Sequence, residues 1–129
     1  MSSEKNAYPY KQLNLWKKAI ELVSQVYKTT GKLPGHEQYG LASQIRRSAV
    51  SIPSNIAEGH GRSSEKELIR FLDIAKGSIF ELDTQMEIAK QLNYIEPQEF
   101  KHISELLDET SRMLTGLRNS KTKTKPNNP

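Results

Sequence analysis

The stretch from Arg46 to Arg62, RRSAVSIPSNIAEGHGR, decides the fold of this chain. Within it and just before it, apolar residues recur every three or four positions, as they do on one face of an α-helix. These residues are Leu41, Ala42, Ile45, Ala49, Ile52 and Ile56. Pro53 interrupts the pattern, because it lacks the N–H that would bond to the Ala49 carbonyl and costs ~3 kcal/mol in a helix interior. We therefore expect a helix that is kinked at Pro53.

A polar stripe runs beside the apolar one on the same helix. Its members lie three or four residues apart and so share one helical face. They are Arg47, Ser51, Asn55, Glu58 and Arg62. Two interpretations stay open. The stripe either has a structural and assembly role, satisfying carbonyls at the kink or pairing across a subunit contact, or it contacts a ligand or RNA directly.

The periodicity of apolar residues along the rest of the chain predicts four helices with short breaks between them. The predicted ranges are residues 13–30, 37–58, 64–92 and 97–119. In the first helix one face carries Trp16, Ala19, Ile20, Val23, Val26 and Tyr27. Ser64 and Glu67 form a capping box at the start of the third helix. Gly59 and Gly61 end the second helix, and we expect them to supply the positive φ angles that helix ends favour.

The third helix has the most regular pattern. Its apolar residues alternate in steps of four and three, which is a heptad seam typical of helix bundles. They are Leu68, Leu72, Ala75, Ile79, Leu82, Met86 and Ala89. No segment of any length has a β-strand period, and short connections make neighbouring helices antiparallel. We predict an all-α fold, an antiparallel up-down-up-down four-helix bundle with a proline-kinked second helix.

Composition and charge narrow the protein class. The length of 129 residues predicts one domain. The chain has no cysteine, which excludes disulfides and thiolate metal sites. No apolar run resembles a signal peptide or approaches the ~20 residues of a membrane span, so we expect a cytoplasmic protein with no membrane partner. Residues 110–129 hold five basic residues and no acidic one. The predicted organisation is a flexible N-terminus at 1–10, a bundle at 11–119 and a disordered basic tail at 120–129.

Several motifs indicate a known family. SIPSNIAEGHGR at residues 51–62, LWKKA at 15–19 and YGLASQ at 39–44 resemble the four-helix-bundle family named after intervening sequences in bacterial 23S ribosomal RNA genes. The similarity covers roughly residues 10–119. It implies a ring-shaped homo-oligomer, a homopentamer. A related branch, the accessory variability proteins of diversity-generating retroelements, implies a reverse transcriptase and nucleic acid as partners. The motif residues, with a role in assembly, are Ser51, Pro53, Asn55, Glu58, Gly59 and Gly61.

Enzymatic chemistry has little support in the sequence. The histidines His36, His60 and His102 lack the spacing of a zinc site. Glu99 and His102 form one Glu-x-x-His pair, whereas di-iron bundles need two such pairs and two further glutamates. Gly59-x-Gly61 is too short for a phosphate-binding loop and no strand precedes it. We expect no catalysis, no metal and no cofactor.

The leading hypothesis is a non-catalytic, homo-oligomeric adaptor that associates with RNA or DNA, as the partner of a retroelement reverse transcriptase or as an rRNA-associated protein. Basic side chains suit phosphate, and arginine can bond two of its oxygens at once. The candidate contacts are Arg46, Arg47, Arg62, Lys66, Arg70, Arg118, Lys121, Lys123 and Lys125. The alternative is a structural or interaction module that forms a ring and has no nucleic-acid role.

Overall fold

The fold consists of four α-helices. A computed structural model describes residues 8–122. The helices are α1 (Asn14–Thr30), α2 (Leu41–His60), α3 (Glu65–Gln91) and α4 (Pro97–Thr122). Short 3-10 helices at Pro9–Gln12 and Gly35–Glu37 precede α1 and α2, and the described part of the chain contains no β-strand. The predicted all-α four-helix bundle is confirmed.

Each helix packs against two others, in the cyclic order α1, α2, α3, α4 and back to α1. Contacts between neighbours join an early residue of one helix to a late residue of the next. Ser48 of α2 bonds to Gln85 of α3, whereas the later Ser51 bonds to the earlier Ser78. Arg46, early in α2, bonds to Thr30 at the end of α1, and Arg118, late in α4, bonds to Asp73 in the first part of α3, as antiparallel packing requires.

The heptad prediction for α3 is confirmed, because all seven seam residues are buried. At the start of α3, one of the two hydrogen bonds of the predicted capping box is present among the described residues. Ser64 precedes the helix in an extended conformation, and its Oγ accepts a hydrogen bond of 3.1 Å from the Glu67 N–H. This bond satisfies one of the amides that a helix N-terminus leaves without a partner.

The buried face of α1 differs from the prediction. Leu15, Leu22 and Thr30 are buried, whereas Ile20 and Tyr27 are exposed. The pattern of apolar residues also gives no weight to threonine, although Thr29 and Thr30 are buried. The Thr30 hydroxyl donates to the Val26 carbonyl at 2.7 Å, so its polar atom is satisfied within the helix and its methyl group can enter the core. Ile20 and Tyr27, which the apolar pattern places on the buried face, lie on the surface.

The two glycines of the motif, Gly59 and Gly61, do not have the predicted conformation. No glycine of residues 8–122 has a positive φ, and Gly61, the C-cap of α2, has a φ of −83°. Gly59 is buried inside α2, where an added Cβ would lie 2.8 Å from the Cβ of Phe71. Close approach between α2 and α3, and not a left-handed turn, is the reason for Gly59. The positive φ falls on Asn93, at 61°, just after α3.

The ends of the elements also shift. Residues 37–40, predicted as the start of the second helix, precede α2, which begins at Leu41. At the other end of the chain, α4 continues through Thr122, three residues beyond its predicted end. The rest of the predicted tail, including Lys123 and Lys125, lies outside the described residues. Between residues 8 and 122, no helix is long and apolar enough to cross a bilayer.

Candidate functional site

The polar stripe of α2 is partly used inside the bundle. The Ser51 and Ser78 hydroxyls share a hydrogen bond of 2.7 Å that joins α2 to α3. Asn55 Nδ2 donates to the Ser51 carbonyl at 2.8 Å and to Ser51 Oγ at 3.0 Å. The middle of the stripe therefore helps to hold α2 and α3 together, because half-buried polar groups need such partners.

Pro53 is buried, and the α-helix is continuous through it. On the α1 side of α2, Pro53 lines a groove together with Val50 and Ala57 of its own helix. On the α1 side the groove is lined by Trp16, Ile20 and Val23. The motif proline therefore forms part of the contact region between α1 and α2 that remains accessible at the surface.

Arg46 anchors the end of α1. Its Nε donates to Thr30 Oγ1 at 2.8 Å, and one terminal nitrogen donates to the Tyr27 carbonyl at 3.2 Å. The guanidinium also lies 4.6 Å from the centre of the Tyr27 ring. A cation at a helix C-terminus is favoured by the helix dipole and satisfies its free carbonyls. Arg46 is thus engaged in a structural contact.

Two arginines surround Phe71 at the junction of α2 and α3. The guanidinium carbons of Arg62 and Arg70 lie 4.9 Å and 4.6 Å from the centre of the Phe71 ring. Arg62 also donates to Glu58 Oε2 at 2.6 Å, and Arg70 lies 3.5 Å from a carboxylate oxygen of Glu67. Stacking on an aromatic ring leaves the outer edge of a guanidinium open to a further anion.

Arg118 joins the end of α4 to the start of α3. Its Nε donates to Asp73 Oδ1 at 2.6 Å and its terminal nitrogen donates to Oδ2 at 3.1 Å. Hydrogen bonding from Arg118 holds the pKa of Asp73 below its ordinary value. This forked pair fixes the last turns of α4, which include Lys121, against the first part of α3, the helix that carries Lys66 and Arg70.

Arg47 and Lys66 differ from the other candidates. Both are exposed, and neither has a polar partner within residues 8–122. Arg47 lies on a ridge of α2, where it lines one groove shared with α1 and another shared with α3. Lys66 is in the first turn of α3. These two side chains can bind an external anion without breaking an internal contact.

The structure divides the predicted basic residues between two places. Arg47 lies roughly 20 Å along α2 from His60, at ~1.5 Å per residue. One group forms an end of the bundle that we call the basic end; it comprises Arg62, Lys66, Arg70, Arg118 and Lys121. Arg46 and Arg47 lie apart from it, at the groove between α1 and α2.

Sequence reasoning missed two members of the basic end. Lys11 and Lys17 belong to it because Tyr10 and Trp16 line a groove with Ala57, near the end of α2. Both lysines are exposed and have no polar partner among the described residues. The positive charge of this segment is visible in the sequence, but its position at the same end of the bundle as Arg62 depends on how α1 packs against α2.

The Glu-x-x-His pair lies elsewhere. Glu99 and His102 line a groove between α1 and α4, and Glu99 forms an ion pair with Lys32. In the part of the chain that the structure describes, no three histidine or carboxylate side chains are arranged to hold a metal ion.

Comparisons with known proteins agree with this architecture. A crystal structure of a protein with unknown function from the S23 ribosomal protein family of Bacteroides thetaiotaomicron superposes with a TM-score of 0.76. The two chains are 23% identical, and the match covers 81% of this chain and 95% of the other. At this identity the similarity shows the fold alone. A comparison with curated proteins finds no match. Residues 11–116 match the family described as 23S rRNA-intervening sequence protein, and the chain therefore belongs to that family.

Proposed function

We propose that this protein is a non-catalytic, homo-oligomeric adaptor that binds nucleic acid through the basic end of its bundle. The observation that carries the proposal is the Arg118–Asp73 pair. It holds the last turns of α4 near the junction of α2 and α3, where Arg62, Lys66 and Arg70 lie. Basic residues that are distant in sequence thereby come together at one end of the bundle.

Two of the three segments at this end carry only basic charge, which supports an anionic partner. The third, residues 58–73, holds three basic and four acidic residues. The last turns of α4, residues 112–122, hold three basic residues and no acidic one. Residues 8–18, which enter the bundle at the same end, also hold three basic residues and no acidic one. Phosphate neutralisation by such groups is the main source of affinity for nucleic acid and depends little on base sequence. Several copies in a ring would multiply a weak contact.

The family description favours RNA as the partner, since it names an intervening sequence of 23S rRNA. Association with the reverse transcriptase of a retroelement is the alternative role for the same surface, and it rests on the motif resemblance. A cytoplasmic location fits both roles. If the basic end binds no nucleic acid, the alternative is a ring-forming module without a nucleic-acid role.

The test is a salt titration of binding to structured RNA and to duplex DNA, with the intact protein. We expect binding at low salt that weakens steeply as salt rises, because each neutralised phosphate releases counterions. Lys66→Glu should weaken binding several-fold. Lys101→Glu, the same charge change on an exposed lysine in the first turns of α4, should have little effect. Equal loss in both variants, or no binding by the intact protein at low salt, would contradict the proposal.

A further inference from the structure

A groove between α1 and α2 exposes more apolar surface than a monomer needs. Ile20, Tyr27 and Val50 are 41%, 43% and 39% exposed along it. Trp16 and Val23 form its half-buried floor, next to Pro53. Apolar side chains that are exposed together usually mark a contact with another molecule.

The charge of this groove is one-sided. The residues that line it include Arg46 and Arg47 and no acidic residue. Arg46 is engaged with the end of α1, but Arg47 has no polar partner between residues 8 and 122. A partner for this groove would therefore present an apolar side chain with a carboxylate nearby.

The face formed by α3 and α4 has this chemistry. Phe80 is 59% exposed there and lines a shallow groove with Asp83 and Asp108, without a basic residue among the lining side chains. Asp108 is paired with Arg112 of its own helix, and Lys76 lies 6.0 Å from the Phe80 ring. Asp83 has no polar partner among the residues that the structure describes.

These two faces lie on opposite sides of the bundle. The cyclic packing order of the helices places the α1–α2 side across from the α3–α4 side. A contact between unlike faces of two copies is heterologous, and it either closes into a ring or continues as a filament. Closure into a flat ring requires the two contacting groups to lie at the same height along the bundle axis.

The heights match. The Ser51–Ser78 hydrogen bond sets Val50 level with Phe80, because each lies within two residues of the bond. Arg47 lies three residues before Val50 and Asp83 lies three residues after Phe80, so in antiparallel helices both are displaced by the same height in the same direction. Both the apolar pair and the charged pair can therefore form between two copies that stand side by side without an axial shift.

We propose that Phe80 of one copy inserts into the α1–α2 groove of the next copy, beside Val50, and that Asp83 pairs with Arg47 across the same contact. This inference rests on the homo-oligomeric part of the proposed function and names the surfaces that would build it. It places Arg47 in assembly and leaves the basic end free for nucleic acid.

The first test uses two variants that each damage one face, Val50→Asp and Phe80→Asp. Both positions are exposed, so circular dichroism should show an unchanged helix content. Light scattering at micromolar concentration should find an oligomer for the unmodified protein and a monomer for each variant. Mixing the two variants should give a one-to-one dimer, because one supplies an intact Phe80 and the other an intact groove. Variants that keep the unmodified mass, or a mixture that stays monomeric, would overturn the proposal.

A charge exchange gives an independent test. Arg47→Asp and Asp83→Arg should each weaken the oligomer, and the double variant should restore it. Glu81→Arg makes the same charge change as Asp83→Arg, but on the α2–α3 side, and it should not weaken the oligomer. A double variant that is weaker than either single one would overturn the proposed pair. A monomeric unmodified protein would overturn the oligomeric part of the proposed function as well, whereas an oligomer insensitive to all these changes would overturn this contact alone.

Discussion

Gly59 lies directly against Phe71, so that a Cβ on Gly59 would be 2.8 Å from the Phe71 Cβ. This distance is shorter than real Cβ contacts allow. The missing side chain lets the end of α2 approach the start of α3, and the approach positions Phe71 beneath the guanidinium groups of Arg62 and Arg70. A glycine of the family motif thus determines the geometry of the basic end.

Gly59→Ala should destabilise the protein. Overpacking at a close contact costs ~1–3 kcal/mol, and the higher helix propensity of alanine offsets at most ~1 kcal/mol of that cost. Gly61→Ala is the matched control, because its Cβ would meet only ordinary contacts of 3.6 Å and 3.7 Å. Urea unfolding should show a lower free energy of unfolding for Gly59→Ala only. Equal effects at the two positions would contradict the packing explanation.

Arg46→Met should destabilise the bundle by about 1–2 kcal/mol, since it removes charged hydrogen bonds to the end of α1. Arg47→Met should leave the free energy of unfolding within about 0.5 kcal/mol, because Arg47 has no internal partner between residues 8 and 122. Thermal unfolding at a fixed, dilute protein concentration separates this effect from assembly. The assignment of Arg46 to structure fails if both variants melt alike.

The Asp73–Arg118 pair predicts a pH dependence. Because Arg118 lowers the folded-state pKa of Asp73, the pair contributes stability above the unfolded-state pKa and loses it as the pH falls through the folded-state pKa. Asp73→Asn should therefore cost under about 1 kcal/mol at neutral pH, as both side chains are partly exposed. Below about pH 4 the difference from the unmodified protein should shrink, then vanish. Denaturation across pH checks this, with Glu81→Gln as the control, because it makes the same carboxylate-to-amide change at an exposed position without an ion pair within residues 8–122.

Pro53→Ala should weaken the oligomer without lowering the free energy of unfolding. Alanine restores the N–H that proline lacks, so the free energy of unfolding should be unchanged or higher. The local shape of the α1–α2 groove should change, and the oligomer should weaken. Calorimetry and light scattering on the same samples test both parts. An unchanged oligomer mass on dilution would remove Pro53 from the assembly surface.

Removing residues 123–129 should lower nucleic-acid affinity and flatten its salt dependence without abolishing binding. Each lost phosphate contact reduces the slope of log affinity against log salt by ~0.9 for duplex DNA. The cut leaves α4 complete through Thr122, so the bundle should keep its stability. An unchanged salt slope would show that Lys123 and Lys125 make no contact with the nucleic acid.

The presence of helices and their number could be predicted from the residue pattern alone. Local rules were sufficient for the α3 seam and for the Ser64 cap, because helix periodicity and capping act within a few residues. The family followed from the motif at residues 51–62. Where local rules fail, a contact between helices is responsible. Helix-end rules predict a positive φ at Gly59, but the residue is needed for the close approach to Phe71, twelve positions later.

The surfaces depended on tertiary structure. Sequence spacing grouped Arg46 with Arg62, whereas packing assigns Arg46 to the end of α1 and brings Arg118 to the start of α3. Likewise, no local pattern could show that Phe80 and Val50 lie at one height on opposite sides of the bundle. Charge and hydrophobicity are properties of single residues, but a surface is formed by residues that folding brings together from distant parts of the chain.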